Sequence, residues 1–208
     1  NRYAVMKNAN FGGRRVQIVT HYQRLEELAE TLKEFSYRVL KEDCLDLPPK
    51  VYIRREVELT EEQTKAYSTM KSAALALLKG KMATAPHVLT QMMRLQQITC
   101  GHLKNDDGTV TNLKNNRLNE LLEVLEEVEG KVIIWANYIH DIEAIVEAVS
   151  KKFGNESIVQ YYGAISSEER QKTIDRFQDR ESDARFFVGN PQTGGYGITL
   201  TAANTVVY

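Results

Sequence analysis

Residues able to do chemistry concentrate near one end of the chain, where a glycine-rich turn follows an apolar run. The stretch "GNPQTGGYGITLTAANTVVY" (189–208) comes straight after Ala184–Val188. Within it, Thr193-Gly194-Gly195-Tyr196-Gly197 could converge backbone N–H groups on an anion, because glycine puts no Cβ in the way. Neither the dinucleotide fingerprint GxGxxG nor the phosphate loop GxxxxGK[ST] occurs. The turn therefore has two readings, an anion-binding nest or a plain tight turn. Cys100-Gly101-His102 invites a metal, but no second ligand pair accompanies it, so no metal is assigned and the thiol reads as structural. Between Val51 and Lys104 the cations Arg54, Arg55, Lys65, Lys71, Lys79, Lys81, Arg94 and Lys104 outnumber Glu56, Glu58, Glu61 and Glu62. That series fits either a nucleic-acid patch or a solvated helical face.

The elements that must position these residues alternate in the second half. Leu118, Leu121, Leu122, Leu125 and Val128 recur at helical spacing, then "KVIIWANY" (131–138) is a short β-branched and aromatic run. A second helical face carries Ile142, Ile145, Val146 and Val149. "SIVQYYG" (157–163) predicts the next strand, and Ser166 with Glu169 predicts a capping box opening a helix over 167–180. "ARFFVGN" is a third strand and "TVVY" (205–208) a fourth. Strands that are apolar throughout, alternating with helices, predict an α/β fold: a parallel sheet flanked by helices on both faces.

The first half predicts a helical extension. Leu25, Leu28, Leu32 and Phe35 suit one amphipathic helix over 22–35, and "LDLPPK" (45–50) breaks the chain at Pro48-Pro49. "VYIRREVEL" (51–59) alternates as a half-exposed strand does. Thr60 and Gln63 then cap a long helix bearing Ala66, Met70, Ala73 and Leu77, and another follows Pro86 with Val88, Met92 and Leu95 inward. "KNDDGTVTN" (104–112) predicts an exposed turn or hairpin. The 208 residues are 42% hydrophobic and 26% charged with net charge -1, the composition of a soluble globular protein. No apolar run is long enough to span a bilayer and no signal segment opens the chain, so the expectation is a cytoplasmic protein without a membrane partner. The chain starts on "NRYAVMKN" and stops within "NTVVY", from which we expect a piece of something longer.

The order "KVIIWANY", "YYGAISSEERQKTIDRFQ" and "FFVGNPQTGGYGITLTAANTVVY" resembles the second RecA-like lobe of the Swi/Snf-type ATPases of helicase superfamily two, from motif IV through motif V. The resemblance extends backward. "LKEDCLDLPPKVYIRREVELTEEQTKAY" is similar to the linker and entry strand between that family's two lobes, and "MMRLQQITCGHL" to its "LR.Q…..H" helix. Asn115–Leu125 matches its "N.RL..LL..L" segment, and Gly12–Leu28 resembles the end of its first lobe, most like the small phage and bacterial members.

This resemblance implies three parts: the end of the first lobe and linker over 1–50, an entry strand and family-specific helices over 51–115, and the second lobe without motif VI over 116–208. It implies an enzyme that hydrolyses ATP, with Mg²⁺, to move on DNA. Its partners are DNA, expected to be duplex, and the first RecA-like lobe of the same chain. Carried over by motif, Asn137, Tyr138, Gly163, Arg170, Thr193 and Gly194 are DNA contacts, while Gly195, Gly197 and Thr199 face the nucleotide cleft. No catalytic residue is assigned. Plainer readings stand beside these: Arg170 as a salt-bridged surface arginine, Asn137 as a helix cap, and Trp135, Tyr138, His102 and His140 as structural. Departures from the family are Asn190-Pro191-Gln192 where Ser-Thr is common, and Thr199 where Asn or Asp is usual. With no phosphate loop and no DExH pair, the 208 residues alone are expected to be inactive. The competing expectations are an incomplete helicase-like module holding DNA or protein, and an unrelated nucleotide-binding α/β domain.

Overall fold

The computed structural model describes residues 2–46, 49–79 and 85–208, and the chain divides into two compact units, 1–54 and 55–208. Pro48 of the expected linker and Lys81 of the basic series lie outside the described residues, as do the side chains of Leu77 and Lys79. The first unit opens on a β-hairpin that was not expected. Strand β1 (Ala4–Phe11) pairs antiparallel with β2 (Arg14–Tyr22). Gly12 and Gly13, at φ +55° and +84°, form the two-residue turn, a left-handed backbone that glycine adopts without strain. Tyr22 belongs to β2, so the expected helix is shorter, α1 at Leu25–Lys33. A single turn, α2 (Lys41–Cys44), follows.

The segment 51–59 belongs to no strand, which corrects the expected one. Alternation alone makes no strand when no neighbour completes the ladder, and Val51, Tyr52 and Ile53 stay exposed. Helix α3 (Glu61–Lys79) opens on the anticipated cap: Thr60 N–H donates to Gln63 Oε1 at 3.1 Å and Gln63 N–H to Thr60 Oγ1 at 3.2 Å. Buried Gln63 also donates through Nε2 to the Ile98 and Thr99 carbonyls at 2.8 and 3.3 Å, bolting α3 to α4 (Ala85–Cys100). On α4 the buried residue is Ile98, while Met92, expected inward, is exposed. The expected hairpin over 104–112 is present as β3 (His102–Lys104) and β4 (Val110–Asn112).

From α5 (Arg117–Glu127) onward the chain alternates: β5 (Lys131–Trp135), α6 (Ile139–Phe153), β6 (Ile158–Tyr161), α7 (Ser167–Gln178), β7 (Phe186–Gly189), α8 (Pro191–Gly194) and β8 (Ala203–Val207). The strands form a parallel sheet in the order β6-β7-β5-β8. Period-two alternation sends Val132, Ile134, Phe186 and Val188 to one face, packed with Leu125, Ile142 and Val149 of α5 and α6. Ile133, Val159, Tyr161 and Phe187 go to the other, against Phe177 of α7. Both faces are covered at β5 and β7, which is why those strands are apolar, while β8 at the edge alternates half-buried and exposed residues. Two cations brace the opposite end of the sheet from the glycine turn. Lys131 Nζ donates to the Phe177 and Asp179 carbonyls at the end of α7, at 2.9 and 2.8 Å, and burial lowers its pKa. Arg185 donates to Leu125, Val128 and Gly130 carbonyls at the end of α5.

Candidate functional site

The carboxyl ends of β5, β6 and β7 converge, as they do wherever ligands bind parallel sheets. One residue ties the three loops together. Asn190, directly after β7, donates its N–H to the Tyr161 carbonyl of β6 (3.1 Å) and its Nδ2 to the Asn137 carbonyl after β5 (2.8 Å). Its Oδ1 accepts from Gln192 N–H at 2.8 Å and so caps α8, with Pro191 at the first helical position. Sequence reading noted Asn190 only as a departure. The signal available was its place before proline at a strand end, which suits a helix cap.

The first amides of the turn are not free for the anticipated nest. Thr193 and Gly194 N–H both donate to the Asn190 carbonyl, at 3.1 and 2.9 Å, and Gly195 N–H to the Pro191 carbonyl at 2.8 Å. Pro191 has no N–H and Gln192 N–H is capped, so the amides from 191 to 195 are all accounted for within the turn. Gly194 is buried, and a Cβ there would come within 2.8 Å of the Trp135 ring. Its glycine lets α8 close on β5. Gly195, Gly197 and Thr199 are exposed, and Gly197 takes φ +78°.

Side chains offer what the amides do not. Thr193 lies beside Gly163: a Cβ added to Gly163 would sit 3.8 Å from Thr193 Oγ1, so the two loops meet in ordinary van der Waals contact. Asn137 is exposed, its side chain caps nothing, and its carbonyl holds Asn190. Arg170 lies at the start of α7, its guanidinium 5.8 Å from the centre of the Tyr161 ring. Of the three cations on α7, Lys172 pairs with Glu168 and Arg176 with Glu156, while Arg170 has no carboxylate among the described residues. Its Nη2 reaches Ser167 Oγ at 3.3 Å, and its buried Nε has no protein acceptor among them. A cation held without a counter-ion favours an anionic ligand.

Tyr138 serves a different contact. Its hydroxyl lies 3.1 Å from Gln96 Oε1 and 3.4 Å from the Met93 carbonyl on α4, and its ring meets His102 edge-on. Burial, then Cys100 and Asp141, raises its pKa. His102 is buried with Nδ1 2.9 Å from Asp141. Burial and then Asp141 push the Cys100 thiol up, while Arg117 donates to its sulfur at 2.9 Å. Among the described residues no three such side chains could hold a metal ion. The residues present do not by themselves fit ATP with Mg²⁺: the amides of 192–195 are bonded internally, and no phosphate-loop lysine or acidic pair is in the sequence. Of the basic series, Arg55 pairs with Glu120 and Glu127, and Arg94 with Asp106.

Comparison with known proteins matches residues 7–104 to the SNF2-related domain and residues 113–208 to the Helicase conserved C-terminal domain. "Protein CHROMATIN REMODELING 4" of Arabidopsis thaliana is 25% identical over 207 residues, covering 91% of this chain and 9% of that protein. "Chromodomain-helicase-DNA-binding protein 7" of Gallus gallus is 28% identical over 214 residues, covering 89% and 7%. The chain thus spans a small fraction of these relatives. Among solved structures, the "Sulfolobus solfataricus SWI2/SNF2 ATPase core in complex with dsDNA" superposes with TM-score 0.63 at 26% identity, over 87% of this chain and 40% of that one. The expected likeness to small phage and bacterial members finds no support in these relatives, which are plant, animal and archaeal. The chain thus carries a match to a SNF2-related domain followed by a match to a helicase C-terminal domain, the second of them over the parallel sheet.

Proposed function

We propose that this chain is the DNA-gripping part of an ATP-dependent DNA translocase, with residues 1–50 ending a first lobe and linking it, 51–115 supplying an entry segment and helices, and 116–208 forming the second lobe. The observation that carries this reading is Arg170, a cation beside Tyr161 of β6 with no carboxylate partner among the described residues. Thr193 Oγ1 and Arg170 hold phosphate oxygens of one strand of duplex DNA, a grip that positions without reading sequence. Asn137 completes the row, and Tyr138 and Gly194 set the loops from behind. Gly195, Gly197 and Thr199 form one wall of a nucleotide cleft whose phosphate-binding and Mg²⁺-binding groups come from the first lobe. A grip made by side chains is readily released, which suits a protein that shifts along DNA at each cycle. The protein acts in whichever compartment holds the DNA.

A second reading, a helicase-like module that holds DNA without turnover, is favoured by the internally bonded amides of 192–195. Titration of a labelled duplex with the chain tests the grip common to both. Affinity should fall steeply with salt, and Arg170→Ala should weaken binding about tenfold with unchanged circular dichroism. Binding that ignores salt and tolerates Arg170→Ala refutes the grip.

A further inference from the structure

Among the described residues, the two apolar clusters that cover the sheet draw only on residues 121–207; none comes from α3, α4, β3 or β4. A seam of polar groups joins that helical part to the sheet instead. At its centre Tyr138, between β5 and α6, aims its hydroxyl at Gln96 Oε1 and the Met93 carbonyl of α4, 3.1 and 3.4 Å away. Beside it, buried His102 of β3 meets the Tyr138 ring edge-on, lies 4.8 Å from the His140 ring and brings Nδ1 to 2.9 Å from Asp141 of α6. Arg117 of α5 donates to Cys100 Sγ at the end of α4, and Thr60 Oγ1 donates to the Lys114 carbonyl at 2.9 Å.

Both sides of the seam are braced. Gln63 fixes α3 to α4 through its bonds to the Ile98 and Thr99 carbonyls, so the helix pair moves as one body. On the sheet side, Ala136 N–H donates to the Gly189 carbonyl at 2.9 Å and Asn190 Nδ2 to the Asn137 carbonyl at 2.8 Å, so the loops after β5 and β7 move together. Tyr138 follows Asn137 directly and stands at the cap of α6. A shift of α4 therefore pulls on the residue next to both cross-loop bonds. Hydrogen bonds that link rigid elements are the physical means by which one site biases another.

We propose that α3–α4 is a lever on the strand-end loops and that Tyr138 is the positioning residue through which it acts. With the Tyr138–α4 bond made, residues 136–138 and 190–195 are held in the arrangement that grips DNA; with it broken, they loosen. The consequence for DNA rests on the strand-end grip proposed above, whereas the effect on the loops does not. Hydrogen exchange of the 208-residue chain, read by mass spectrometry, tests the lever, and titration of a labelled duplex tests its consequence. Tyr138→Phe keeps the ring against His102 and removes only the hydroxyl. Exchange across 136–138 and 190–195 should quicken severalfold in this variant while α7 exchanges as in wild type, which separates local release from general loss of stability. Gln96→Leu should quicken the same loops less, because the Met93 carbonyl stays within reach, and the double variant should match Tyr138→Phe. Duplex affinity should fall about fivefold in Tyr138→Phe, as expected for one hydrogen bond. Wild-type exchange in Tyr138→Phe would overturn the lever, as would increments that add in the double variant. Quickened exchange with wild-type affinity, while Arg170→Ala still weakens binding, would also overturn it, since the loops would then loosen without effect on the grip. Wild-type affinity in both Tyr138→Phe and Arg170→Ala would refute the grip itself, and quickened exchange would still support the lever on the loops.

Discussion

A strand-end loop is only as well aimed as its anchors, and here a single asparagine anchors three. Asn190 contributes a helix cap and a bond to the Asn137 carbonyl in addition to its backbone bond to Tyr161. Asn190→Ala removes both side-chain bonds, so stability should fall by about 1–2 kcal/mol in a denaturant melt, and duplex affinity should fall with it. Arg170→Ala, by contrast, should lower affinity and leave the melt unmoved, because the guanidinium has no ion pair to lose. The cysteines separate by environment. Cys44 is exposed, whereas burial and Asp141 raise the pKa of Cys100. A raised pKa keeps Cys100 protonated and unreactive near neutral pH. Maleimide labelling at neutral pH should therefore modify Cys44 first, with Cys100 following only as pH rises through its elevated pKa or as the protein unfolds. Equal labelling of both at neutral pH would contradict the burial of Cys100.

Elements were legible where local chemistry and partners agreed. The capping boxes at Thr60–Gln63 and Ser166–Glu169 state their helices outright, and the latter bonds at 3.2 Å as its spacing predicts. β5 and β7 were visible as apolar runs because both faces are covered there, although β5 stops at Trp135, three residues short of the apolar stretch. What failed depended on partners that sequence does not display. "VYIRREVEL" has strand periodicity but no neighbouring strand, and the β1–β2 hairpin hid behind weak alternation, although Gly12-Gly13 was its turn signal. Gln63 shows how one residue serves at two levels, capping α3 and then bonding α4. Gln63→Ala leaves the Thr60 N–H and the Ile98 carbonyl without their side-chain partner. A loss of about 1–3 kcal/mol should appear as a lower denaturant midpoint with unchanged m-value. A midpoint within error of wild type would mean α3 and α4 are held by apolar contacts alone.

At the scale of the whole molecule, fold and family resemblance were legible together, and two domain matches follow in order where identity is only about a quarter. The site was legible in part. Motif position found the loops, but the distinction between a side-chain grip and an amide nest depends on Asn190 and Pro191 winding the turn into α8, which no motif states. On the proposed reading, coupling to ATP belongs to an intact polypeptide with a lysine-bearing phosphate loop, which is not within these residues. The most direct measurement is therefore the steady-state ATPase rate of that intact polypeptide with and without duplex DNA. A rate raised severalfold or more by DNA, and lost in Arg170→Ala at subsaturating duplex, is the predicted result; a background rate in both conditions would contradict a translocase and leave only a DNA-holding module.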